Sequence, residues 1–534
     1  MKDNKSHYIK NLLLPCLFFS IATGIFSALF ITAFKLIAEY VIHLSTQIYD
    51  IVRANPVWVP ALLVGTAAIG LIASLILSIF KTCRGGGIPT SITAITGITD
   101  IKWVTSVFIL PVSAFLTFLC GIPLGTEGPC VQMGTGIGSG TVRILGGKKN
   151  VGWRRYMMTG GACAGFSLAT GAPISAILFS MEELHKRFSP LLFSVASISV
   201  VSGHVTAHLL EKLGIGELKL FHIDVLPAMS HSKLFIPLVV GLVCGACAIM
   251  FTHLYHRFDK FIRETLGKVS IKIKFPIIFA LITLVGFFFS KALGTGHSLI
   301  DHLIGEYLYD SHTVWYILII VFLVRAIFMM LSNTAGVTGG IFLPTLAFGA
   351  IIGALCAEAF ISMGLMSSEY YVLMVVIGMT AFLGASSRIP LTACVFAIEA
   401  LCGINNVLAI IVAVISAFLI VELSSLDDFT EAVVKAKTRA IHKGKEPYFV
   451  EVALTVYEGS FVIDKELRDI LWPASCVVLS IERGPNHSID KHTIAVGDVL
   501  TVHYKTYDPI ATAEEFEVLV GDQSEDIDKI MRHL

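Results

Sequence analysis

The chain has 534 residues, 55% of them hydrophobic and 15% charged, with a mean hydropathy of +0.79, which is too apolar for a water-soluble protein of this length and defines an integral membrane protein. Lys plus Arg and Asp plus Glu balance at 39 each. With no basic surplus and no basic patch interleaved with aromatics, nucleic acid is excluded as a partner, and the bilayer takes its place. The eleven cysteines stand mostly alone inside apolar runs, as at Cys16, Cys120, Cys163 and Cys394, and pack as small hydrophobes rather than forming a disulfide framework. Cys244 and Cys247 make a CxxC inside the run Leu238 to Met250, without a second pair at metal spacing, so it too is read as packing.

Lys2, Lys5 and Lys10 before LLLPCLFFSIATG imitate a secretory signal. The apolar run continues past Ala22 to about Ile37, however, longer than a signal's hydrophobic region, so it reads as the first membrane helix with a cytoplasmic N-terminus. Apolar segments follow at about 57–80, 104–120, 128–146, 157–181, 190–210, 235–255, 275–293, 314–332, 340–363, 370–386, 390–402 and 406–423, the first spanning 11–44. Several are too short, or too broken by Gly and Pro, to cross roughly 30 Å of hydrocarbon upright. Broken helices are tolerated at that depth only where their loose ends are buried in protein or line a polar cavity, so the breaks point to an ion path.

The stretch GTEGPCVQMG, Gly125 to Gly134, sets one acid, Glu127, between glycines at the mouth of an apolar segment. Gly125 and Gly128 permit close backbone approach, Pro129 suits a first helical turn, and Val131 to Leu145 can continue as helix. A helix starting inside a bilayer aims unpaired N–H groups and its positive dipole end at whatever precedes it, which favours an anion. Glu127 is expected either to occupy the anion's place as a tethered carboxylate, released by protonation, or simply to cap the helix.

The two halves of the chain share their spacing. Pro129, Gly134 and Gly138 stand five and nine residues apart, as do Pro344, Gly349 and Gly353. Pro173 precedes Glu182 by nine residues, and Pro390 precedes Glu399 by nine. Gly85-Gly86-Gly87 has a weaker counterpart in Gly294-Thr295-Gly296. The pattern predicts an internal duplication with a binding site between inverted repeats.

Beyond Val421 the character changes. Residues 427–445 are charged, and Lys435, Lys437, Arg439, Lys443 and Lys445 near the last span predict a cytoplasmic C-terminus. VVLSIERG, PNHSIDKHTIAVGD and VLTVHYK read as strands separated by polar turns, with helix expected at Glu466–Leu471 and Ile510–Phe516. The fold class is therefore an all-α polytopic membrane protein with broken helices plus a small cytoplasmic α+β domain, divided as 1–434, a linker at 435–447, and 448–534.

These residues resemble the CLC family of chloride channels and chloride/proton antiporters over roughly 10–434. GGGIP at Gly85 to Pro89 resembles the family's GSGIP loop, GTEGP at Gly125 to Pro129 its G(K/R)EGP loop, and GGIFLP at Gly339 to Pro344 its GxFxP loop. The resemblance implies chloride/proton antiport in a bacterial inner membrane by a homodimer whose subunits each carry an anion pathway. It makes Glu127 the gating glutamate and Glu183 the internal proton relay. It gives the anion contacts to Gly86, Gly87, Ile88, Gly128, Ile341 and Phe342.

Glu183 has a physical argument of its own. Adjacent helical residues point about 100° apart, so only one of Glu182 and Glu183 is expected to face the interior, where ionisation is costly and a relay is plausible chemistry. The bland alternative is that both are solvated beside His185, Lys186 and Arg187. Three departures from the family stand out: Gly86 replaces the serine, Thr126 precedes the acid where Lys or Arg is usual, and Leu426 to Ala432 offers Phe429 and Thr430 but no tyrosine. Thr430 is the side chain expected to stand in. Loss of two donors predicts weakened or broadened anion binding. Pro129 argues against the family's fluoride branch.

The tail from about Tyr448 to Gly521 resembles a TrkA-C-like module, carried by Val477 to Gly484 and Gly497 to Val502. Such modules dimerise, and some hold a nucleotide such as a cyclic dinucleotide between copies. A dimerisation domain without ligand is the competing reading. No enzyme is expected: HExxH and GxSxG are missing, and His253 with His256 lacks an acid on the same face. No cofactor is expected beyond transported chloride. The rival function is a passive voltage- or pH-gated chloride channel.

Overall fold

The computed structural model describes residues 12–223, 225–306, 315–442, 444–484 and 493–521. Lys2, Lys5, Lys10, Lys443 and the 485–492 part of the polar turn lie outside the described residues. Nine helices among the described residues are long and apolar enough to cross a membrane.

The first half runs through α1 (Leu14–Ala54), α2 (Val59–Ile79), α3 (Gly87–Ile95), α4 (Leu110–Leu119), α5 (Glu127–Thr141), α6 (Arg154–Thr170), α7 (Pro173–Phe179) and α8 (Pro190–Lys212). The second runs through α9 (Phe235–Leu266), α10 (Ile271–Phe288), α11 (His297–Asp301), α12 (Trp315–Ala335), α13 (Phe342–Ser362), α14 (Tyr371–Ser386), α15 (Pro390–Phe396) and α16 (Val407–Glu422). The expected 157–181 span is broken in two because Gly171 turns left-handed at φ 72° and ends α6. Pro173 then opens α7, pre-set for a first helical turn.

The repeated Pro–Gly–Gly spacing has a packing cause. Every residue of α5 is buried, and its face lies so close to α6 that a Cβ on Gly134 would sit 1.9 Å from the Gly161 carbonyl oxygen. In the second half a Cβ on Gly349 of α13 would sit 2.4 Å from the Gly378 carbonyl oxygen of α14. Small residues let two backbones pack where lipid offers no hydrophobic drive between helices, and each half needs them at the same offsets.

A charged helix, α17 (Phe429–Ile441), covers most of the span expected as linker. Asp428 caps it, its Oδ1 accepting the Glu431 amide at 2.6 Å. The tail is a three-stranded antiparallel sheet in the order β1-β3-β2, built from β1 (Tyr448–Thr455), β2 (Cys476–Glu482) and β3 (Val499–Thr506), followed by α18 (Pro509–Val520). Val452 pairs with Val502, and Val450, Leu454, Leu500, Phe516 and Val520 fill its core. The helix expected at Ile510–Phe516 is present within α18, whereas Glu466–Leu471 forms only a 3-10 turn, Leu467–Asp469.

That turn docks on the membrane part. Arg155 donates to the carbonyls of Leu471 at 3.0 Å and Trp472 at 3.1 Å, and Arg187 to that of Ile470 at 2.9 Å. The Tyr156 hydroxyl donates to the Asp469 carbonyl at 2.5 Å, and Ser189 donates to its carboxylate at 2.6 Å.

Candidate functional site

Three glycine loops meet between the halves. Gly125 and Gly340 exchange both backbone hydrogen bonds, each at 2.7 Å, joining the loop before α5 to the loop before α13. The GGGIP loop closes on the same point: a Cβ on Gly87 would lie 1.8 Å from the Gly128 carbonyl oxygen, and one on Gly128 would lie 2.6 Å from Cα of Gly340. Only glycine fits at such a three-way backbone approach. The first turns of α3, α5 and α13 are thereby brought together, and their unpaired amides and dipoles favour negative charge.

Glu127 opens α5 and is fully buried. Its carboxyl group faces the backbone amides of Glu127 itself and of Leu343, in the first turn of α13. The Thr126 hydroxyl donates to Oε1 at 3.4 Å, while Oε2 has no hydrogen-bond partner. Ile341 caps α13 and Phe342 starts it, both buried. The Phe342 ring stands edge-on to Phe166 and Phe396, with centroids 5.0 and 5.5 Å away. Ile88, also buried, lies in the first turn of α3, whose cap is Gly86.

Glu183 lies elsewhere, in a π turn (Ser180–Leu184) that extends α7. It is 4% exposed, so the solvated alternative does not describe it. The Thr430 hydroxyl, Asp428 and Lys186 surround its carboxyl group. Lys186 leads outward, donating to Asp428 at 2.8 Å and Glu431 at 2.9 Å. Its neighbour Glu182 turns away and binds the Leu391 and Thr392 amides. The structure therefore sets Thr430 beside Glu183, while Phe429 packs edge-on against Tyr255 with centroids 4.3 Å apart.

Two residues near the loops were not read from the sequence as site residues. Asn333, in the last turn of α12, reaches Gly86, and Lys437 of α17 reaches Gly85. The polar Ser332-Asn333-Thr334 ending an apolar helix was the available signal for the first.

Paired broken helices in two halves of matching spacing, with a buried acid where helix starts converge, define a polytopic membrane protein of inverted-repeat architecture. The chain belongs to the voltage gated chloride channel family, whose family model matches residues 69–422. It is 29% identical over 377 residues to the H(+)/Cl(-) exchange transporter ClcA of Yersinia pestis, covering 68% of this chain and 75% of that one. The protein of the same name from Citrobacter koseri is 28% identical over 373 residues, covering 68% and 76%. Among solved structures, a slow cyanobacterial Cl−/H+ antiporter aligns with a TM-score of 0.70 at 21% identity, covering 80% of this chain and 99% of that one. A CLC-type fluoride/proton antiporter aligns at 0.62 and 18% identity, covering 77% and 96%.

Proposed function

We propose that the chain exchanges chloride for protons, with Glu127 as the gate that competes with the anion and Glu183 as the inner proton relay. The observation that carries this reading is Glu127 itself, a fully buried carboxyl group at the shared opening of α5 and α13 with one oxygen unpartnered. A carboxylate seated on helix starts occupies an anion's position, and protonation removes the charge that holds it there. Glu183 supports the coupling half, being buried at the end of an apolar helix near Lys186, which is itself paired with Asp428 and Glu431. The anion contacts then fall to the backbone around Gly86, Gly87, Ile88, Gly128, Ile341 and Phe342.

The same reading places the protein in a bacterial inner membrane as a homodimer, with the basic run after the last span and the tail on the cytoplasmic side. Edge strand β2 leaves Val477 and Leu479 exposed, a surface suited to a second copy of the TrkA-C-like tail, and a nucleotide would bind between copies. The test is anion efflux from liposomes with simultaneous external pH recording. Uphill proton movement driven by a chloride gradient is expected; chloride flux without protons would make the protein a passive channel.

A further inference from the structure

The place where Gly86 lacks a side chain is not without donors. A Cβ there would lie 3.7 Å from Nδ2 of Asn333, 3.4 Å from Cδ of Pro89 and 3.8 Å from the Gly339 carbonyl oxygen. Asn333 is 7% exposed. Its Oδ1 accepts the Tyr255 hydroxyl at 3.0 Å, and Tyr255 is itself buried and fixed by the Phe429 ring. With its oxygen engaged, the carboxamide turns its two N–H bonds toward Gly86. Among the described residues no acceptor takes them.

Apart from the Gly339 carbonyl oxygen, the polar groups bearing on that point are donors or positive. The first turn of α3 opens at Gly86 with its free amides and positive dipole end. Lys437 approaches from α17, its Nζ 3.8 Å from where a Gly85 Cβ would be, bonded to the neutral oxygens of Arg84 and Thr90. Donors that no protein acceptor takes are open to a ligand, and an anion is the ligand that satisfies them. Tyr255 explains how one amide serves where two hydroxyls are missing, because Phe429 presses its ring and its hydroxyl holds Asn333 in orientation.

We propose that Asn333, oriented by Tyr255, is the side-chain ligand of an anion site at the start of α3 and supplies a small monovalent anion with the directed hydrogen bonds that Gly86 and Phe429 do not. This rests on the anion-pathway reading above but not on proton coupling. It replaces the expectation of anion binding weakened by the loss of two donors.

The test is calorimetric titration of the purified full chain with sodium chloride in chloride-free buffer. Asn333→Leu, of similar volume, should weaken chloride binding about tenfold, the effect of losing a hydrogen bond to a charged group. Adding Gly86→Ser should restore binding to within about threefold, since a Cβ at 86 meets nothing nearer than 3.4 Å. Asn333→Asp keeps the shape but presents a carboxylate, and should abolish chloride binding at neutral pH if Asn333→Leu does not fold. Unchanged binding in either single variant overturns the proposal, and so does a loss that Gly86→Ser leaves unrelieved. Missing proton movement in liposomes, with binding still dependent on Asn333, would overturn antiport and leave this ligand standing.

Discussion

Glu182 and Glu399 cap each other's half of the protein. The Glu182 carboxylate accepts the amides of Leu391 at 3.0 Å and Thr392 at 2.6 Å, where α15 begins. Glu399 accepts those of Ile174 at 2.8 Å and Ser175 at 2.7 Å, where α7 begins. The equal Pro-to-Glu spacing is the sequence trace of this exchange: each short helix is opened by its proline and each tail end reaches the other's first turn. Glu182→Gln and Glu399→Gln should each cost about 1 kcal/mol of stability, the usual worth of a cap, read as a lowered melting temperature in detergent. Proton-coupled transport should survive both substitutions.

Glu183→Gln should behave oppositely. Its carboxyl group caps no helix and sits buried between Thr430, Asp428 and Lys186, so the amide should fold normally. Proton flux in liposomes should fall by about a hundredfold or more, the effect of losing an essential proton carrier, with anion flux kept. Equal loss of both fluxes would make Glu183 structural.

Glu127→Gln tests the gate. The amide is nearly isosteric and mimics the protonated acid, so it no longer competes as an anion for the start of α13. Anion efflux should become independent of external pH, and chloride-driven proton movement should disappear. Continued proton pumping by the variant would remove Glu127 from the mechanism.

How much of this was legible from residues alone follows from what each feature depends on. The three glycine loops and the apolar spans could be read because glycine, proline and hydrophobicity act locally. The short α3 could not, since GGGIP followed by Thr90, Ser91 and Thr93 lacks an apolar run long enough to announce a helix. Glu182 and Glu183 are adjacent, and only the crossing of α7 with α15 decides that the first is a cap. Tyr255 and Asn333 lie 78 positions apart, joined by helix packing that no local pattern encodes. The docking of residues 467–472 was equally hidden, because most of its hydrogen bonds use the turn's backbone and only the Asp469 carboxylate takes part through a side chain.

Lys465 gives the docked tail a pH dependence. It is buried where the tail meets α6, over the Phe461 ring and 5.8 Å from the Trp153 centroid, and burial pushes its ammonium down to about 7. An unfolded lysine titrates near 10.4, so between these values the unfolded state binds the extra proton and stability rises with pH; below about 7 the penalty is fully present. The aromatic faces offset part of that cost. Tail stability, followed by tryptophan fluorescence during thermal melts, should therefore increase from pH 7 to pH 9, and Lys465→Met should flatten the rise. An unchanged slope in the variant would assign the dependence to another group.

The tail grips the segment that follows Glu183, because Arg187 and Ser189 bind Ile470 and Asp469. Tyr156, at the start of α6, ties the same turn from the other side, donating to Asp469 and accepting from the Leu471 amide at 3.1 Å. A ligand that shifts this turn would move the segment that carries Glu183, and a tenfold preference for one transport state would supply about 1.4 kcal/mol of coupling. We expect a cyclic dinucleotide or adenine nucleotide to bind the full chain saturably and to change flux by several fold, and deletion after Lys445 to abolish the response. Tyr156→Phe should leave binding intact while weakening the response, since it loosens the grip without touching the sheet. Absent binding, with normal flux and dimerisation after the deletion, would reduce the tail to an accessory.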